Sequence, residues 1–322
     1  MEINEKNIKM WSIIGPRATV GLTALDLAKK IENLMVVTCD VSTSAGLDRY
    51  RKKFPDKFLD LGIAEQNMVA VAAGLSSEDF KVITTTFAPF QTMRCCEQIK
   101  VNLGYMKQKV CMIGIASGLV LGNLGYTHCC IEDIGILRSI PNLTIVSPAD
   151  SLETIKAIEK SVEHSQSVYI RITGSANNPI VNKEDYDFTI GKTITIREGE
   201  DVIIFSSGTM VYESIKAAEE LKKNKINVKV VNVHTIKPIN YSEILKHINN
   251  KKLIITAEEH NIIGGLGSAI SEVVASVGTK SRLIRIGIQD QYDKGGSYEY
   301  LKNKNGLNSQ KIVNEILKNL ND

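Results

Sequence analysis

Apolar residues along this chain gather in short β-branched runs, and the stretches between them carry helical spacing. This alternation argues for an α/β fold built on parallel strands. In the first part the predicted strands are 35–40 (MVVTCD), 81–87 (KVITTTF), 109–115 (KVCMIGI), 143–147 (LTIVS) and 168–172 (VYIRI). Helices are expected near 17–32, 64–76, 89–103, 131–139 and 151–163. The stretch 173–191, TGSANNPIVNKEDYDFTIG, is polar, contains a proline and lacks a clear period, so it reads as a linker. Strands are predicted again at 201–207, 228–233, 253–259 and 283–287, with helices near 209–224, 241–249, 265–277 and 309–320. The expectation is two consecutive three-layer α/β domains with mainly parallel sheets, split near residue 185.

Composition narrows the picture. At 322 residues the chain is long enough for two sizeable cores. A formal net charge of +3, with the basic residues dispersed, does not suit a nucleic-acid partner. Six cysteines lie mostly in apolar segments, without CxxC or a His/Cys ligand spacing. They read as reduced core thiols in a cytoplasmic protein, not as a zinc site. The charged start, MEINEKNIKMW, lacks the apolar stretch of a signal peptide, and no apolar run reaches membrane-spanning length.

Four stretches carry candidate chemistry. In DLGIAEQNMVAVAAGL (60–75), Glu65 would share a helix face with Met68, Val69 and Ala72. An acid in the first helical turn is favoured by the macrodipole alone. A carboxyl in an apolar site, by contrast, keeps or shares a proton near neutral pH. In GNLGYTHCCIED (122–133), His128 stands at a loop-to-helix junction, suited either to a cleft at the carboxyl ends of the sheet or to a local backbone contact. In TTTFAPFQTMR (84–94), Phe87 and Phe90 are spaced as core residues or as an aromatic platform. EEHNIIGGLGSA (258–269) is a glycine-rich strand-to-helix turn; His260 within it reads as structural, and Glu132 and Asp133 as local helix-start caps.

In this order and spacing, GIAEQNMVAVAAGL, TFAPFQTMRCCEQI, GYTHCCIEDIGILRSIPNLTIVSPAD and EEHNIIGGLGSA resemble the transketolase family over nearly the whole chain. The chain is similar to the C-terminal half of a transketolase carried as a separate subunit. The resemblance implies a pyrimidine-binding domain (1–178), a linker (179–192) and a transketolase C-terminal domain (193–322). It implies thiamine diphosphate with a divalent metal (Mg2+, Ca2+ or Mn2+) and transfer of a two-carbon unit from a ketose to an aldehyde. Glu65 would then face the aminopyrimidine, flanked by Ile63 and Gln66, Phe87 and Phe90 would wall that ring, and His128 would face the reacting centre. No GDG motif occurs here, so the diphosphate and metal are expected on an N-terminal partner subunit with GDG and a downstream asparagine, in an α2β2 heterotetramer.

The departures bear on the substrate. Family positions that carry a histidine and an aspartate before His128 are Ala116 and Leu124 here, and Gly174 stands at the place of a phosphate-gripping arginine, with Arg171 close by. Arg17 and Ser44 fall where the remaining phosphate contacts would be. A non-standard sugar is therefore expected, bound by Arg17, Ser44, Arg171 and His128. The alternatives are a β-subunit of a 2-oxoacid dehydrogenase or a deoxyxylulose-phosphate synthase-like enzyme, and, outside enzymes, a non-catalytic structural partner.

Overall fold

The structure is a computed structural model that describes residues 1–279 and 281–321. Its strands are β1 (Leu34–Thr38), β2 (Phe58–Asp60), β3 (Lys81–Phe87), β4 (Val110–Ile115), β5 (Leu143–Val146), β6 (Ser167–Arg171), β7 (Ile194–Arg197), β8 (Val202–Ser206), β9 (Val228–Asn232), β10 (Thr235–Lys237), β11 (Leu253–Asn261) and β12 (Arg282–Ile288). They form a seven-stranded sheet, β10-β5-β6-β4-β3-β1-β2, and a five-stranded sheet, β12-β11-β8-β9-β7. Pairing is parallel except at two edges, where β10 runs antiparallel to β5 and β7 antiparallel to β9. Strands β1, β4, β5, β6 and β8 are buried at every position, as parallel strands covered by helices on both faces must be.

The longer parallel strands lie where the apolar runs predicted them. Three short strands were not foreseen: β2, β7 and β10 are only three or four residues long, too short to leave a pattern. β10 matters most, because it comes from the second half of the chain yet closes the first sheet, pairing Thr235 with Val146 and Lys237 with Ile145. One hydrophobic cluster likewise joins Leu137, Ile145 and Tyr169 with Phe205, Val231, Ile236 and Ile270.

Two of the expected helices depart from their predicted course. The first runs Glu5–Leu27, with a break at Gly15 (φ 81°, ψ 168°) before Pro16; the predicted start at 17 is where it resumes. Proline at a first helical position suits that restart. The single helix expected over 89–103 is instead a series of short turns, Ala88–Gln91, Met93–Cys95, Cys96–Gln98 and a wide turn over Ile99–Tyr105. Thr92, at φ −116° and ψ −78°, separates the first two, and the Thr92 Oγ1 bond back to the Ala88 carbonyl (2.6 Å) favours such a bend.

The stretch 173–191 is irregular, and it is pinned. Asp150 Oδ2 accepts from the Val181 and Asn182 amides, and Glu153 accepts from Tyr186 Oη and Asn232 Nδ2. Phe188 packs on the His234 ring, centroids 4.3 Å apart.

Candidate active site

The helix Glu65–Ser77 begins with the acid itself. Met68, Val69 and Ala72 are buried on the same face, as helical spacing requires, and Glu65 is 4% exposed at its head. Cys39 and Cys95 lie close enough to sense the Glu65 charge, and burial pushes their thiols up to about 11 and about 12. These are inert thiols in a dry wall.

Glu65 Oε2 forms an ion pair with Arg94 Nη1 at 2.8 Å. The Arg94 guanidinium in turn lies over the Phe90 ring, 4.0 Å from its centroid. Phe90 meets the His128 ring edge-on at 5.3 Å and Phe87 at 6.2 Å, and Phe87 lies 6.0 Å from His128. The structure thus joins Glu65, Phe87, Phe90 and His128 in one cluster through Arg94. Sequence reading missed Arg94; the signal was a cation four residues beyond Phe90 in TTTFAPFQTMR. Ile63 is 77% exposed beside the cluster, and Gln66 Nε2 donates to the Arg94 carbonyl at 3.1 Å.

His128 follows a tight turn over Gly122–Thr127, and its Nδ1 contacts Thr127 Oγ1 at 3.0 Å. The loop that carries it is clamped at its base: Gly118 and Cys130 exchange both backbone hydrogen bonds. Gly118 has φ +69°, and a Cβ there would stand 2.3 Å from Glu259 Oε1, so only glycine fits.

Below that clamp sits a buried polar network. Arg171 Nε donates to both Asp133 carboxylate oxygens at 2.9 Å, and its Nη2 donates to the Cys130 and Glu259 carbonyls. Tyr169 Oη donates to Asp133 Oδ2 at 2.7 Å. Glu259 accepts from the Leu119 amide, Thr209 Oγ1 and Tyr298 Oη. This corrects two expectations. Arg171, expected at the substrate, is instead 2% exposed, with Nε and Nη2 engaged inside the protein. Asp133 is not a local cap but the buried counter-ion of Arg171. His260 is fully buried: burial lowers it to about 4, its Nδ1 donates to the Asn261 carbonyl, and Nε2 faces the Gly135 amide.

Arg17 and Ser44 do come together. With Thr43, Gly174 and Ser175 they line one cavity of about 150 Å³. Arg17 has no ion-pair partner among the described residues, and burial lowers its pKa. Gly174 has φ +86°, and a Cβ would come within 2.5 Å of Asn178 Oδ1. The left-handed backbone therefore disfavours an arginine at 174. Ala116 is buried at the end of β4, and Leu124 is exposed in the turn before His128.

Residues 14–178 match the transketolase pyrimidine-binding domain family and residues 191–312 the transketolase C-terminal domain family. The chain belongs to the transketolase family. It is 35% identical over 90% of its length to a 6-deoxy-6-sulfo-D-fructose transketolase subunit of Clostridium sp. (strain MSTE9), covering 89% of that protein. It is 32% identical over 95% of its length to an apulose-4-phosphate transketolase subunit of Phocaeicola vulgatus, covering 97% of it. A solved structure described as a split gene transketolase, inactive beta4 tetramer, superposes with a TM-score of 0.85 at 31% identity, covering 96% of this chain and 98% of that one. The chain is a transketolase-like transferase subunit corresponding to the C-terminal part of a split enzyme. Among its described residues no helix is long and apolar enough to cross a membrane.

Proposed function

We propose that this chain is the C-terminal subunit of a thiamine-diphosphate-dependent enzyme that moves a two-carbon unit from a ketose to the aldehyde of a non-standard sugar. The observation that carries the reading is the buried Glu65 carboxylate at a helix start, joined through Arg94 to Phe90 and His128. A flat, nitrogen-bearing heterocycle fits that donor set: a phenyl face for its plane, a second ring set edge-on beside it, and a dry carboxyl for its edge. Among the described residues no group of three or more His, Cys, Asp or Glu could hold a metal ion. Diphosphate and a divalent metal, Mg2+ in this reading, are therefore assigned to a partner chain with a GDG motif, in an α2β2 assembly. A related chain described as an inactive tetramer of β-subunits supports the need for that partner.

When bound, thiamine diphosphate supplies the carbon nucleophile. In this assignment Glu65 holds a proton at its carboxyl oxygen, facing the ring edge, inside the wall of Met68, Val69 and Ala72. Phe87 and Phe90 position the ring; Ile63 and Gln66 border it. His128, with Nδ1 against Thr127 Oγ1, presents Nε2 to a developing oxyanion or exchanges its proton. Arg17 and Ser44 take an anionic end of the sugar in their small cavity.

The backbone at Gly174 leaves that cavity with one guanidinium where sugar-phosphate enzymes use more, and relatives named for sulfofructose and apulose phosphate support an unusual substrate. We assign 1–178 to the pyrimidine-binding domain, 179–192 to the linker, 193–322 to the C-terminal domain, and the enzyme to the cytoplasm, where its six free cysteines stay reduced. The test is reconstitution with the partner subunit and a panel of ketoses and aldoses. Transfer to sulfonated or branched sugars above that to ribose 5-phosphate is the expected result. Efficient ordinary pentose-phosphate turnover would sink the substrate claim, and pyruvate-dependent decarboxylation would replace the reaction.

A further inference from the structure

Arg94 touches both groups on which the cofactor assignment depends. Its guanidinium pairs with Glu65 Oε2 at 2.8 Å and covers the Phe90 ring at 4.0 Å. A guanidinium is flat, delocalised and edged with N–H groups. An aminopyrimidine has the same outline: a planar π-face for a phenyl ring and polar nitrogen at its rim for a carboxyl. The arginine side chain therefore makes, within this chain, the two contacts that the heterocycle would make.

Three features mark the contact as exchangeable. Arg94 is 41% exposed at its side chain, against 4% for Glu65, so one partner can leave into solvent while the other cannot. The contact is an ion pair rather than an aligned hydrogen bond, and half-exposed pairs of that kind are weak. Glu65 has no second side-chain or backbone partner among the described residues, unlike Glu259 with its three donors. Meanwhile the Arg94 backbone is held by Gln66 Nε2 on its carbonyl, so the side chain alone is the movable part.

We infer that Arg94 is a gate residue of the cofactor site: it occupies the carboxylate of Glu65 and the face of Phe90 in the cofactor-free chain and is displaced when the aminopyrimidine arrives. This rests on the thiamine-diphosphate reading above. In the empty state the arginine satisfies a buried carboxylate that would otherwise lack a partner, and the cofactor's apparent affinity is lowered by the population of the closed form.

The test is calorimetric titration of thiamine diphosphate, with Mg2+ present, into the complex with the partner subunit. Wild type, Arg94→Ala and Arg94→Lys are compared, alongside melting temperatures with and without cofactor. Arg94→Ala is expected to bind about fivefold to thirtyfold more tightly, the size of one exposed ion pair plus one cation–π contact. Arg94→Lys, which keeps the charge and loses the plane, should fall between. The rise in melting temperature on adding cofactor should be larger for Arg94→Ala than for wild type, whereas a merely structural arginine would lower both melting temperatures equally. If the wild-type complex binds cofactor and Arg94→Ala binds it no better, the gate is overturned and the cofactor reading stands. If the wild-type complex shows no binding, the cofactor reading fails and the gate with it.

Discussion

Two clusters of buried acids lie in this chain, and they are built oppositely. Around Asp133, Arg171 and Glu259 the acids are held by several partners inside the protein: Arg171 Nε and Tyr169 Oη on Asp133, the Leu119 amide and two hydroxyls on Glu259, and two carbonyls on Arg171 Nη2. Around Glu65 one half-exposed arginine is the whole complement. Both acids are equally hidden from water, so burial alone does not separate a structural group from a working one. What separates them is whether the partners are permanent. A closed set of hydrogen bonds fixes geometry, and an open one is free to receive a ligand.

That contrast can be broken at several points. Glu65→Gln should cut two-carbon transfer in the reconstituted complex by about 10²–10⁴-fold while leaving the melting temperature nearly unchanged, measured by initial rates and thermal denaturation. Unaltered rates would move Glu65 into the structural class. Asp133→Asn should do the reverse, leaving Arg171 buried and without its counter-ion, at a loss of about 3–5 kcal/mol of stability in denaturant titration. The loop that carries His128 would loosen with it, since Cys130 and Glu259 are tied through the same arginine.

Glu258 sharpens the comparison through pH. It caps the helix Leu266–Val277 by accepting from the Leu266 and Gly267 amides, yet burial raises it from 4.5 to about 7. The folded chain therefore binds more protons than the unfolded one between those values. Its contribution is complete below the unfolded pKa and is lost as pH rises through the folded one. The stability of wild type relative to Glu258→Gln should fall between pH 4.5 and pH 7, by about 3 kcal/mol at most. A flat difference would show that the carboxyl titrates normally. Smallest is Gly174→Ala, which should cost about 1–2 kcal/mol for its left-handed backbone, read from the denaturation midpoint.

Much of this was legible in the order of residues. The longer parallel strands were, because β-branched runs such as KVITTTF favour extended backbone. The motifs that carry Glu65, Phe87, Phe90 and His128 are contiguous, and the fold brings those side chains together. Arg17, Ser44 and Gly174 were brought to one cavity as their alignment implied. Arg171 misled because sequence proximity to Gly174 says nothing of direction. It lies on a buried strand and points toward Asp133, a contact thirty-eight residues away in the chain. Arg94 went unread because its meaning depends on a turn at Thr92 that no pattern announced. Strand β10 went unread because three residues leave no period.

That short strand has a consequence for how the protein comes apart. Proteolysis between 173 and 193 would sever the chain without freeing two folded bodies, since the later fragment would still carry the outermost ribbon of the earlier one. Expressed by itself, the earlier fragment would present the bare side of Leu143–Val146 to its neighbours in solution, a template for chain-to-chain pairing. The two halves are better regarded as one molecule that borrows across its own seam.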